Sequence, residues 1–144
     1  MKFFTTLIVT LCFSAMIQAH CQIPCGIYDD KNQFDDLFQH VQTIEKSVKQ
    51  LLSENLNQNQ TVRWVTNKED HATMIQDVMN HYFLSQRIKP VVSSNKKESK
   101  RYVELLKQSH AVIRLAMKTK QTVDLNNVKV LNEAITRFQI TYTD

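Results

Sequence analysis

The chain has 144 residues, 18 Lys and Arg against 14 Asp and Glu for a formal charge of +4, and one glycine with two prolines. That length supports one modest domain, and a basic excess this small and dispersed, without aromatic interleaving, excludes nucleic acid as a leading partner. So little Gly and Pro argues for helices over a turn-rich β fold.

The first element is a leader. Met1 to Ala19 carries Lys2, an apolar run from Phe3 through Ile17, and a small residue at Ala19, the pattern of a signal peptide. Its apolar core is shorter than the ~20 residues of a spanning helix. The expectation is an exported chain, periplasmic or extracellular, cut after Ala19 and not stably inserted in a membrane afterwards. Acylation at Cys12 or Cys21 fits less well, because Leu11 and His20 stand where a small residue is needed. Cleavage removes Cys12 and makes His20 the first residue.

Residues 20–28, HCQIPCGIY, then hold the two remaining cysteines, the early proline and the only glycine. In an oxidising compartment Cys21 and Cys25 either form a disulfide or are protected by something else. A free amine on His20 opens a second possibility. The amine and the deprotonated amide nitrogen of Cys21 close one five-membered chelate ring on a metal, and the same amide with the Cys21 thiolate closes another. If the chain doubles back, Cys25 completes a square of two nitrogens and two sulfurs, and Pro24 and Gly26 suit such a turn. A square of this kind suits Ni(II) or Cu(II), whereas zinc prefers a tetrahedron. The His20 imidazole, on the residue that supplies the amine, is within reach of an axial position.

Helical periodicity begins next. Phe34, Leu37, Phe38, Val41, Ile44, Val48, Leu51, Leu52 and Leu56 recur at steps of three and four, on a helix capped by Asp29 or Asp30, and Asn57 to Gln60 break the pattern. A second helix carries Val62, Val65, Ala72, Ile75, Val78, Met79, Tyr82 and Phe83 and stops before Pro90, which lacks the donor to continue it. Trp64, Met74 and Met79 read as core filler. Ser93-Ser94-Asn95 caps a third helix with Tyr102, Leu105, Leu106, Val112, Ile113 and Ala116; Val123, Val128, Leu131, Ile135 and Phe138 mark a fourth. Four amphipathic helices with short links predict an all-α, up-down-up-down four-helix bundle over 29–144, preceded by a metal-binding hook at 20–28.

The complete set His20, Cys21, Pro24, Cys25, Gly26 and Tyr28 at a processed amino terminus resembles the nickel superoxide dismutase family. Lys68-Glu69-Asp70-His71-Ala72 and the pair Tyr82-Phe83 resemble segments of that family's second helix, and the likeness fades beyond Pro90. The resemblance implies disproportionation of superoxide to dioxygen and hydrogen peroxide by one-electron cycling of one nickel per subunit. It implies His20 as in-plane and axial ligand, Cys21 through nitrogen and sulfur, Cys25 through sulfur, and Tyr28 over the open face. It also implies a homohexamer, with Asp36, or else neighbouring Asp35, and His71 supporting the His20 imidazole. His40, His81 and His110 read as ordinary helix residues. Two other classes stay in view: a metal carrier using the same hook, and a secreted helical binding protein with a Cys21-Cys25 disulfide.

Overall fold

The computed structural model describes residues 29–91 and 95–144. The leader, the hook and Ser93-Ser94 lie outside them. Four helices account for nearly all of the described chain: α1 (Asp30–Leu51), α2 (Gln58–Asp77), α3 (Lys96–Gln121) and α4 (Leu125–Thr143), with α2 running on without a break into a π-helical segment (Val78–Arg87). Consecutive helices pack against one another and α1 closes the ring against α4, as expected of an up-down-up-down bundle.

Each helix begins on a side chain that accepts one of its unpaired amide groups. Asp29 caps α1, its Oδ1 accepting from the Asn32 amide at 2.7 Å. This leaves Asp30 available for tertiary work. Asn57 caps α2 in the same way, accepting from Gln60 at 2.9 Å. The polar run 57–60 is therefore the start of a helix rather than a gap between helices. Asn95 caps α3 and Asp124 caps α4.

The predicted stripes form the core in the main. Phe34, Leu37, Val41, Ile44 and Val48 of α1 face Ile75, Met79 and Phe83, and Val112, Leu131, Ile135 and Phe138 close the other side. Several expected core residues do not belong to it. Val62 is 58% exposed and Met74 44%, Trp64 is half-buried, and Val123 lies exposed in the link before α4. Their phase on the helix, or their place outside it, turns them away although their chemistry suits burial. Lys68 is the converse case: buried to 2% exposure, its Nζ donates to the carbonyl oxygens of Thr119 and Lys120 at 2.6 and 2.5 Å. Those are terminal carbonyls of α3, which lack partners within their own helix and present the negative end of its dipole.

The π segment has a tertiary consequence. Its wider turn is visible in the bond from the Ile88 amide to the Phe83 carbonyl, five residues back, at 2.8 Å. On an α-helix Tyr82 and Arg87 would point about 140° apart; here both reach one carboxylate. Asp30 Oδ1 accepts from the Tyr82 hydroxyl at 2.5 Å, and Oδ2 accepts from Arg87 Nη2 at 2.7 Å and from the Tyr142 hydroxyl at 2.9 Å. The first turn of α1 is thereby tied to the ends of the π segment and of α4. Beneath this knot Phe34, Phe83, Phe138 and Tyr142 pack with ring centroids 4.9–5.8 Å apart.

Burial pushes the Asp30 carboxyl up, but the hydrogen bonds from Arg87, Tyr82 and Tyr142 together hold it below its usual range. A carboxyl lowered by folding stabilises above its unfolded pKa, ~3.9, and loses that contribution as pH falls through the folded value. Asp30→Asn is expected to destabilise by about 1–3 kcal/mol at neutral pH. Its urea midpoint should also fall less steeply than wild type below pH ~4; parallel acid limbs would show that Asp30 is not the titrating group.

Candidate metal centre

The proposed ligands His20, Cys21 and Cys25, and Tyr28 beside them, lie outside the described residues. What the structure supplies is the ground from which they spring. The described chain starts at Asp29 in an extended conformation (φ −94°, ψ 154°) and turns at once into α1. Asp30, the next residue, is fixed by the three-donor knot, so the segment ahead of it leaves from a point held by α1, the π segment and α4.

As a set of donors, one amine, one amidate, two thiolates and an imidazole fit nickel. Soft anionic sulfur and nitrogen in a plane favour a d⁸ ion. Among the described residues no three His, Cys, Asp or Glu side chains converge on a point where a metal ion would fit.

The two residues expected to support His20 sit on neighbouring helices. Asp36 is exposed on α1, about a turn and a half beyond Asp30. Among the described residues it makes no hydrogen bond or ion pair. Asp35, the alternative, is engaged with Lys31 in a surface pair at 2.6 Å. Asp36 is thus the carboxylate of the two that remains available. His71 is half-buried on α2, in a segment whose residues divide their contacts: Lys68 reaches α3, Ala72 enters the core, and His71 turns to α1.

There it meets His40. The two Nδ1 atoms are 2.9 Å apart, with ring centroids at 5.0 Å and planes inclined by 59°. His40 is therefore not an ordinary helix residue, contrary to the sequence reading. The spacing carried a clue, since Asp36 and His40 are four apart and share a helix face. Asp36 does not bond to His71 directly; its charge acts on His40. His81 faces Asp77 at 3.9 Å on the surface and His110 is exposed, as expected of helix residues without a special role.

Burial, and then the neighbouring His71, hold His40 below its usual pKa, with Asp36 partly opposing them. The folded state then binds a proton on His40 less readily than the unfolded state does. Stability from this source is complete above pH ~6.5 and is lost as pH falls through the folded value. Chemical denaturation between pH 7.5 and 5 is expected to show a smaller loss for His40→Asn than for wild type. Equal losses would assign the titration to another group.

A family model described as nickel-containing superoxide dismutase matches residues 15–144. The match takes in the hook as well as all four helices, and so extends through α3 and α4, past the point at which the motif likeness fades. Neither the curated proteins nor the solved structures include a match to the chain. With its full hook and its helical bundle inside that match, the chain belongs to the nickel-containing superoxide dismutase family, nickel-dependent oxidoreductases acting on superoxide.

Proposed function

We propose that the chain is exported, is cut after Ala19, and then holds one nickel ion through His20, Cys21 and Cys25. The observation that carries this reading is the unbroken set His20, Cys21, Pro24, Cys25, Gly26, Tyr28 inside the family match. The chemistry supplied by nickel bound there is one-electron cycling between Ni(II) and Ni(III), by which two superoxide ions and two protons become dioxygen and hydrogen peroxide. Thiolate and amidate donors push electron density onto the metal and lower its potential into the range that superoxide can both reduce and oxidise.

Each residue has its own task. His20 would hold the metal through its terminal amine and its imidazole. Cys21 gives an amide nitrogen and a thiolate, and Cys25 a second thiolate. Coordination also protects both sulfurs, which would otherwise climb the oxidation ladder in peroxide. Tyr28 would limit access to the bound metal and order water or the incoming anion beside it. Asp36 and His71 support the His20 imidazole, since a metal-bound imidazole needs a partner for its other N–H. A hook this short shields its metal poorly alone, and assembly into a homohexamer, with neighbouring subunits enclosing each hook, meets that need.

Two changes at one residue test the reading. His20→Ala keeps the amine and loses the imidazole; it is expected to retain nickel while losing more turnover than the ~10–100-fold that an outer partner costs. One extra alanine ahead of His20 removes the free amine from its chelate and is expected to abolish specific nickel binding. A His20→Ala chain that turns over superoxide at the wild-type rate would remove the axial role. An extended chain that still binds and cycles nickel would remove the hook.

A further inference from the structure

The two imidazoles that meet between α1 and α2 are a pair of nitrogen donors built into the bundle itself. His40 Nδ1 and His71 Nδ1 lie 2.9 Å apart, and both residues are half-buried, so the pair keeps an edge open to water. As it stands an N–H on one ring faces a lone pair on the other. A neutral imidazole can instead carry its proton on Nε2, which frees Nδ1 as a ligand.

The spacing is that of two ligands on one ion. Nitrogens 2.9 Å apart, each about 2.0–2.1 Å from a metal, subtend an angle of about 90° at it. Neighbouring positions of a square or an octahedron have that angle, whereas a tetrahedron would set the nitrogens about 3.3 Å apart. The span therefore favours Cu(II) or Ni(II) over zinc, and of those two Cu(II) binds a given set of nitrogen ligands more tightly. The ring planes are inclined by 59° and not stacked, so rotation about the side-chain bonds can turn both lone pairs toward a common point.

The helices hold this span. Asn67, one turn before His71 on α2, donates to Ser47 of α1 at 2.8 Å, while Ile44 and Ala72, beside the two histidines, are buried in the core. Lys68, the cation nearest to His71 in sequence, is turned away to the end of α3. Burial, and then His71, hold His40 below its usual pKa, so at neutral pH a proton does not compete for its lone pair. No third His, Cys, Asp or Glu among the described residues joins the pair, which leaves the remaining positions to water and the ion exchangeable.

We propose that His40 and His71 form a second metal site, separate from the hook, at which the two Nδ1 atoms bind one Cu(II) ion in adjacent positions and so clip α1 to α2. Each neutral ring keeps its single proton, on Nε2, so the ion is bound without net release of a proton.

The test is titration of the processed, nickel-loaded chain with Cu(II), read by electron paramagnetic resonance, with metal analysis of the same samples. Square-planar Ni(II) is diamagnetic and leaves the copper spectrum unobscured. The first equivalent of Cu(II) is expected to show two equatorial imidazoles in the electron spin-echo modulation and to raise the urea midpoint, because a ligand held by both helices binds the folded chain alone. His40→Asn and His71→Gln are each expected to lose the two-imidazole signal and the midpoint shift. Fewer than two imidazoles in the wild-type signal would overturn the proposal. So would a two-imidazole signal that survives in either variant, the result given by copper at His20 or at an exposed histidine. Nickel content reports on the hook separately: a chain without nickel whose two-imidazole copper signal is lost in both variants refutes the hook and supports this site. Should one variant fail to fold, the other and the wild-type spectrum decide.

Discussion

The Asp30 carboxylate is the constraint on which the rest of this molecule depends. A metal site built from the first residues of a chain has no framework of its own, and its geometry is only as well defined as the point where those residues join the fold. Asp30 is that point. Three donors from two other elements converge on it, and a buried aromatic cluster of Phe34, Phe83, Phe138 and Tyr142 lies directly below. Charge-assisted hydrogen bonds of this kind are stronger than neutral ones, and Arg87 makes one of them while also stacking near the Tyr82 ring. The amino-terminal turn of a helix ordinarily frays; this one is held at both oxygens of one side chain.

The bundle and the hook therefore divide the work. Helix packing supplies rigidity and places two imidazoles and a carboxylate on adjoining faces of α1 and α2. On the proposed reading the hook supplies every ligand to nickel. On that reading the amine of His20 exists only after cleavage, so the chelate forms only once the leader is cut.

The four helices were legible because their apolar residues recur with the helical period, and two of their starts because Asp29 and Asn95 are good caps; Asn57, which reads as part of a break, and Asp124 cap the other two. The family was legible because each fixed residue of the 20–28 motif has a separate chemical reason to be there. Other features depend on contacts between distant segments and left little trace. Lys68 reads as a surface charge until the carboxyl end of α3 is placed over it. Val62 and Met74 read as core by chemistry and are turned outward by phase. The π segment cannot be read from composition, since its widened turn shows its value only when Tyr82 and Arg87 meet Asp30. His40 was within reach of sequence reasoning through its spacing from Asp36, but its partner lies 31 residues away on another helix.

The central claim is that the hook works as a processed terminus carrying nickel. Intact mass with metal analysis of the natively exported protein tests it most directly. A chain beginning at His20, with one nickel and both cysteines reduced, is the predicted result. A chain keeping any residue ahead of His20, or one lighter by two hydrogens and free of nickel because Cys21 and Cys25 are joined, would contradict it.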